Sequence, residues 1–301
     1  MNDQPDTMNP EPNRDLPARR PFPIPVVAFG PGSQEEDETL DYISMPSGMA
    51  TYRPPQLPDD LGGQPGALRV LQAVLAALAG GTPTQVLLDG LAPAERQLLN
   101  QVLGEGEVSA QWLPSAEAGD RRSAQVQESV FAGVWRVVLQ ADDGVLLDAI
   151  EVGDVPALLR GAALQDTLPP HLVEGEAPPD VLNAHHVLAE LAQHRAAWRP
   201  GQPNEVVNLT LLPMSPADIA WMDHVLGTGR VLVLSRGYGN CRITSTRVPH
   251  IWRVVYYNSQ DHVILNTVEV GALPAVACAA AEDLADSHER LAEVMQWVAS
   301  A

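Results

Sequence analysis

The 301-residue chain carries 38 acidic and 18 basic residues, which gives a net charge of −20 at pH 7. Proteins that bind nucleic acid need a basic face, so this balance argues against nucleic acid as a partner. Every basic residue is arginine, which excludes Schiff-base chemistry on lysine and the phosphate-binding lysine of P-loops. No stretch approaches the roughly 18 apolar residues of a membrane span, so we expect no membrane insertion.

Residues 1–65 are rich in proline, glycine and acidic residues. This composition is typical of an extended arm with little order of its own. We expect the apolar stretch 24–29 within the arm to dock on the body of the protein or on a partner.

The cellular compartment is indicated by two features of the sequence. Arg19 and Arg20 superficially resemble a twin-arginine export signal, but no long apolar region and no small-residue cleavage site follows them. Cys241 and Cys278 form no CxxC pattern and no zinc-ligand spacing, and unpaired cysteines fit a reducing compartment. We therefore expect a cytoplasmic protein.

The first predicted helix carries leucines at helical spacing and ends at the glycines 80–81. A short apolar strand follows at 86–88. The next helix begins at Pro93 and ends at Gly104, because proline suits the first helical turn and glycine the position after the last. The strands predicted after it cover 107–112, 125–139 and 145–152.

Three motifs of the first half recur in the second half in the same order. They are VLGxG at 102–106 and 225–229, WRVV at 135–138 and 252–255, and EVG at 151–153 and 269–271. The first copy carries about six extra residues in the polar segment 114–123. A length change confined to a loop is typical of one fold built twice.

The second copy has the stronger helix-start signal. Ser215 is a predicted N-cap, Pro216 suits the first helical position, and Asp218 favours the helix dipole. The strands predicted in this copy cover 206–212, 230–235, 242–257 and 262–270. We expect a bend or bulge at Pro249 in the third of these strands, and at Gly133 in its counterpart.

These elements predict an α+β fold of two tandem pseudo-symmetric repeats, each a small antiparallel or mixed sheet covered by helices. The predicted boundaries are 1–65 for the arm, 66–168 for the first segment and 179–301 for the second segment. The proline-containing stretch 168–179 is expected to link the two segments.

The predicted helix before the second copy carries a weak candidate metal site. His186, Glu190 and His194 follow i, i+4, i+8 spacing and so lie on one helix face. Histidine and carboxylate ligands suit a metal ion. A solvated polar face is the commoner arrangement, and the sequence leaves both possibilities open.

Cys241, His250 and His262 lie on neighbouring predicted strands. They converge only if the strand register brings them together. Metal ligation and an ordinary sheet surface are both open at this stage.

Two equivalent Trp-Arg pairs are candidate structural or interaction residues. Trp135 and Trp252 are expected as core anchors rather than as binding platforms. Arg136 and Arg253 follow them on the opposite strand face, because strand side chains alternate. These arginines are expected to pair with acids of the same sheet or to contact a partner.

The glycine-containing segments are further candidates. Gly104, Gly106, Gly227 and Gly229 follow a helix, so we interpret them as helix ends and not as anion-binding loops. The GYGN segment, which contains Tyr238, is typical of a hairpin turn. No HExxH, GxxxxGK or GxSxG motif occurs, so we predict no catalytic residue and no bound cofactor.

Several separated blocks together resemble one family. They are LLNQVLGEGEV, QESVFAGVWRV, NLTLLPMSPAD, a GYG followed by the WRV strand, and AAEDLADSHERLAEVMQW. These blocks, in this order, are similar to the hydrogenase expression/formation proteins of the HupH/HyaF/HoxQ type. The likeness runs from about residue 71 to the end and includes the N-terminal FGPGSQ.

The resemblance implies a non-enzymatic cytoplasmic chaperone or scaffold for an uptake [NiFe]-hydrogenase. Its implied client is the precursor of the iron–sulfur small subunit, before twin-arginine export and assembly with the large subunit. It also implies a thioredoxin-like accessory partner of the HupG/HyaE/HoxO type and a role in protecting cluster assembly from oxygen.

Two other functions remain open from the residues alone. A metal or iron–sulfur cluster carrier would use His and Cys ligands completed by a partner. A hydrolase with a dispersed site would need a deep pocket with convergent carboxylates.

Overall fold

The computed structural model describes residues 64–115, 119–162, 164, 177–237 and 239–300. Nearly all of the predicted arm, and Tyr238, lie outside these residues. The described part contains ten strands and six α-helices, together with two short 3-10 turns. The expectation of an α+β fold is confirmed.

The strands are β1 (Thr84–Leu87), β2 (Val108–Trp112), β3 (Ser123–Glu128), β4 (Val134–Ala141), β5 (Gly144–Val152), β6 (Glu205–Asn208), β7 (Thr228–Ser235), β8 (Asn240–Thr246), β9 (Ile251–Tyr257) and β10 (Val263–Val270). The α-helices are α1 (Pro65–Gly80), α2 (Pro93–Leu103), α3 (Ala157–Ala162), α4 (Ala184–Ala197), α5 (Pro216–Leu226) and α6 (Ala281–Ser300). The 3-10 turns are Leu209–Leu211 and Ala275–Ala277.

All ten strands belong to one antiparallel sheet with the order β1-β5-β4-β3-β2-β7-β8-β9-β10-β6. The strands of the two predicted segments therefore form one continuous sheet rather than two small ones. They join where β2 pairs with β7, and Ala110 lies opposite Val233 at the middle of that pair. The free edges of the sheet are β1 and β6.

The long strands predicted at 125–139 and 242–257 are each two strands with a tight turn between them. The reason lies in the residue that precedes the second strand of each pair. Gly133 and His250 have φ of 80° and 67°, which is a left-handed conformation that reverses the chain instead of bending it. The expected bend is therefore a hairpin.

The helices begin and end where local chemistry favours it. The Ser215 hydroxyl accepts a hydrogen bond from the Asp218 N–H at 3.1 Å, so the predicted N-cap of α5 is present. Helices α2 and α5 end before Gly104 and Gly227, whose φ values of 56° and 63° suit glycine.

Each face of the sheet carries its own core. On one face a single apolar cluster spans both segments and includes Trp135 and Trp252, with α3 and the 275–277 turn lying over β7. On the other face, α1, α2 and α6 cover the first segment, and α4 and α5 cover the second. The last helix of the chain thus packs on the first segment, where Leu291 is fully buried.

Candidate interaction surface

The two tryptophans of the WRVV motifs are core residues. Trp135 and Trp252 are 1% and 3% exposed, and they lie in the cluster that spans both segments. The Trp135 Nε1–H donates to the Gly153 carbonyl at 2.9 Å, which connects the WRVV motif to the EVG motif. Neither ring offers a surface to a partner.

The two arginines that follow are held by carboxylates on the opposite face. Arg136 pairs with Asp148 of β5 at 2.5 Å, and Arg96 of α2 contacts the same carboxylate. Arg253 lies 3.4 Å from Asp223 of α5. Burial raises the pKa of the Asp223 carboxyl, and the Arg253 charge opposes that effect. Arg136 thus pairs with an acid of its own sheet, whereas Arg253 pairs with an acid on helix α5.

The four motif glycines have local structural roles. Gly104 and Gly227 are the residues after α2 and α5. A Cβ at Gly106 would collide with the Ser129 carbonyl, and one at Gly229 would collide with the Ser245 hydroxyl. The VLGxG motif therefore allows the chain to pass close to the neighbouring hairpin, and nothing in its geometry forms an anion-binding loop.

The candidate ligands on α4 lie on one side of the helix, as the spacing predicts. The His194 Nε2 is 3.5 Å from the Glu190 Oε1, and His186 lines a cavity beside Glu190. In the described residues, no group of three or more His, Cys, Asp and Glu side chains is placed to hold a metal ion.

Cys241 and His250 lie at opposite ends of the β8–β9 pair. Cys241 pairs with Tyr256, six residues beyond His250, and six residues of strand span about 20 Å. The Cys241 thiol is buried, and burial raises its pKa to about 12. The His250 ring instead packs at a tilt against the Trp198 ring, with ring centroids 4.7 Å apart. The strand register therefore does not bring these two side chains together.

A feature that sequence reasoning missed is a set of exposed leucines beside α4, which we call the leucine patch. It consists of Leu182, Leu211 and Leu212, which are 69%, 80% and 37% exposed. Exposed apolar side chains close to a cavity are characteristic of sites that bind another protein.

The leucine patch adjoins a cavity of about 150 Å³. Its walls are Asn183, His186, Val187 and Glu190 on one side, and Leu212, Pro213 and Met214 on the other. The two walls are joined by a hydrogen bond of 2.8 Å from the Asn183 side chain to the Pro213 carbonyl. Leu182 and Leu211 are the sequence neighbours of lining residues from the two walls.

The sequence contained a signal for this surface, in the comparison of the two copies. Aligning the VLGxG motifs of the two segments places Leu88 opposite Leu211 and Asp89 opposite Leu212. Leu88 is fully buried, whereas Leu211 is the most exposed large apolar side chain among the described residues. A turn at Leu209–Leu211 separates β6 from the LLPM stretch, and Leu209 takes the buried place instead.

Several other exposed apolar side chains lie at the hairpin tips and the sheet edges, and Trp297 of α6 is 52% exposed. Val145 and Leu146 of β5 are 59% and 53% exposed, and Ile264 of β10 is 57% exposed. Edge strands carry Leu87 and Val206, which are also more than half exposed. None of the described helices is long and apolar enough to cross a membrane.

A comparison with protein families gives a match over both segments. The family described as "HupH hydrogenase expression protein, C-terminal conserved region" matches residues 67–168 and again residues 181–298.

Curated relatives match over nearly their whole length. The chain is 55% identical to hydrogenase expression/formation protein HoxQ of Cupriavidus necator, over 93% of this chain and 99% of that protein. It is 44% identical to hydrogenase expression/formation protein HupH of Rhodobacter capsulatus, over 92% and 98%. It is 30% identical to hydrogenase-1 operon protein HyaF of Escherichia coli, over 91% and 96%.

Among solved structures, the hydrogenase expression protein HupH from Thiobacillus denitrificans is 27% identical, with a TM-score of 0.36. The match covers 38% of this chain and 95% of that one. On the family match and the identities above, the chain belongs to the HupH family of hydrogenase expression/formation proteins.

Proposed function

We propose that the protein is a non-enzymatic cytoplasmic chaperone for the iron–sulfur small subunit of an uptake [NiFe]-hydrogenase. It holds the small-subunit precursor before twin-arginine export and assembly with the large subunit. A thioredoxin-like accessory protein of the HupG/HyaE/HoxO type acts with it, and the complex protects cluster assembly from oxygen.

The observation that carries this proposal is the exposed leucine patch on a member of a hydrogenase expression/formation family. A protein that works by holding another needs apolar surface that its own fold leaves uncovered. Leu182 and Leu211 provide such surface, and both are more than two-thirds exposed. The absence of a metal-binding cluster among the described side chains gives the carrier alternative no specific support.

The charge of the chain supports a basic client segment. A net charge of −20 attracts positively charged partners over roughly a Debye length, about 8 Å at physiological salt. The long-range part of such attraction accelerates encounter more than it strengthens the final complex. Binding of a basic precursor should accordingly weaken as salt rises.

The same proposal takes residues 66–168 and 179–301 as two copies of one unit. The Ser129 hydroxyl donates to the Phe131 carbonyl and accepts from the Phe131 N–H, at 2.9 and 3.1 Å. The Thr246 hydroxyl makes the same two bonds with Val248, at 3.0 and 3.2 Å. Aligning the WRVV motifs makes Thr246 the counterpart of Ser129.

The centre of the sheet supports a two-fold relation between the copies. Ala110 and Val233 are counterparts in the alignment of the VLGxG motifs, and they lie directly opposite each other. An approximate two-fold axis through this pair relates β2 to β7, as an isologous interface would relate two subunits.

The experiment is affinity capture from cells that make the hydrogenase. Tagged protein should retain the small-subunit precursor with its signal peptide and release it once the mature subunit is exported. A strain lacking the protein should accumulate small subunit without its clusters, and the defect should be greater in air. Retention of the large-subunit precursor alone would contradict the small-subunit assignment.

A further inference from the structure

Hydrogen bonds connect the two walls of the cavity beside α4. One carboxylate oxygen of Asp218 accepts hydrogen bonds from the N–H groups of Leu182 and Asn183, at 2.8 and 2.7 Å. Asn183 in turn donates to the Pro213 carbonyl on the opposite wall. A preformed site loses little conformational freedom on binding, which favours affinity.

The walls combine apolar side chains with one carboxylate, and Asn183 and His186 complete the polar part of the lining. Val187, Leu212 and Met214 supply apolar lining, and Glu190 supplies a carboxylate that is half exposed. The lining includes no arginine. Such a wall favours a ligand that combines a bulky apolar group with a cation, and it disfavours a carboxylate.

We propose that the cavity and the leucine patch bind a segment of a partner protein that carries a bulky apolar side chain close to an arginine or lysine. The apolar side chain enters the cavity against Val187 and Met214. The cation pairs with Glu190, and adjacent apolar residues of the segment cover Leu182 and Leu211. This inference rests on the proposed function and deepens it, since it assigns the surface that holds the client.

The described residues of the site all belong to the second segment. In the sequence alignment with the first segment, Leu211 is matched by the buried Leu88 and Leu212 by the acidic Asp89. Among the described residues, the leucine patch lies at the end of the sheet near β6. A second copy of this chain is a poorer occupant, because two bodies of charge −20 repel each other.

The test uses full-length protein and two fluorescein-labelled peptides of 15 residues. Both peptides carry the same leucines, and one has arginines where the other has glutamates. The variants are Leu211→Asp and Glu190→Arg, and the matched control is Leu146→Asp, since Leu146 is equally a surface leucine but lies on β5. Circular dichroism and thermal melting confirm that each variant is folded.

We expect fluorescence anisotropy to show that the basic peptide binds and the acidic one does not. Leu211→Asp should weaken binding at least tenfold, as expected when a leucine side chain is no longer removed from water. Glu190→Arg should weaken it by about as much and shift the preference toward the acidic peptide. Leu146→Asp should leave binding unchanged.

Three outcomes overturn the inference. They are equal binding of both peptides, equal weakening by Leu146→Asp, and a concentration-dependent dimer that Leu211→Asp abolishes. Capture of the small-subunit precursor separates this inference from the proposed function. A precursor retained equally by wild-type and Leu211→Asp protein overturns the surface but not the chaperone role. Peptide binding without precursor capture supports the surface and contradicts the small-subunit role.

Discussion

Glu95 and Asp218 make the same connection between two helices in the two segments of the chain. Each carboxylate accepts an N–H bond from the residue three positions before it. Each also accepts one from the start of a second helix, from Gly66 in α1 or from Ala184 in α4. A single negative charge thereby stabilises the N-terminal ends of two helices at once.

Replacing Asp218 should destabilise the protein and the leucine patch together. Asp218 is fully buried, so Asp218→Ala leaves several backbone donors without an acceptor and should cost about 3 kcal/mol of unfolding free energy. Asp218→Asn keeps one acceptor oxygen and should cost clearly less. Urea unfolding followed by circular dichroism measures both. Equal losses for Ala and Asn would show that the hydrogen bonds are not the cause.

Because of Asp218, we expect the protein to lose stability at acid pH. Burial by itself would raise the pKa of Asp218, but hydrogen bonds from Ser215 and Asn183 outweigh it and hold the pKa below its usual range. A folded-state pKa below the unfolded value of 3.8 stabilises the protein above about pH 4. That stabilisation is lost as pH falls further. Asp218→Asn should therefore flatten the dependence of the unfolding free energy on pH in this acid range.

Because of Glu128, we expect the protein to become less stable as pH rises toward neutral. Burial raises its pKa to about 7, although its carboxylate accepts the Gly133 N–H at 3.2 Å. Because the folded pKa lies above the unfolded value of 4.5, the folded state holds the proton more tightly. Stability should therefore fall as pH rises from about 4.5 to 7.

Glu128→Gln is the test, since the amide resembles the protonated acid. The variant should be more stable than wild type at pH 8 by roughly 2–3 kcal/mol and should lose the slope between pH 5 and 7. Chemical denaturation at several pH values measures the difference. An unchanged slope would mean that another group is responsible.

We expect the second glycine of the VLGxG motif, Gly106, to be strictly required. A Cβ at this position meets the Ser129 carbonyl, which is backbone and cannot move away easily. Gly106→Ala should lower the unfolding free energy by about 2 kcal/mol or more. The control is Gly80→Ala, because nothing lies within 4 Å of a Cβ there. Similar melting temperatures for the two variants would remove the steric explanation.

We expect the contact that Arg230 makes with the first segment to require arginine. Its guanidinium donates to the Leu113 carbonyl at 2.5 Å and to Asp120 at 3.2 Å, and it lies 4.2 Å from the Trp112 ring centroid. Arg230→Lys keeps the charge but not the planar fork, so it should still cost about 2 kcal/mol. An exposed pair provides the control, since Arg121→Ala should leave the unfolding free energy nearly unchanged. A Lys variant as stable as wild type would contradict the role of the fork.

Much of the fold could be predicted because its signals are local. The helix at Ser215 and its end at Gly227 follow from capping chemistry, which acts within one turn. Burial of Trp135 and Trp252 follows from strand alternation next to apolar neighbours. The hairpins at 125–139 and 242–257 were predicted as bent strands, because the sequence does not display the left-handed backbone of His250.

The candidate site was predicted less well, because it depends on what packs over each side chain. The LLPM stretch was aligned with the first copy, yet Leu88 is buried where Leu211 is exposed. The difference comes from the turn after β6, which shifts Leu209 into the core. Similarly, the sequence left open whether Cys241 and His250 converge, and the antiparallel register separates them.

The sequence by itself determined the α+β class, the helix limits, the family and the acidic character, because periodicity, capping and charge are carried by neighbouring residues. Only the tertiary structure decided that β2 pairs with β7 to make one sheet, that α6 covers the first segment, and that Asn183 and Leu212 line one cavity. Those relations join residues far apart in the chain, and their energies come from surfaces that exist only once the elements have packed.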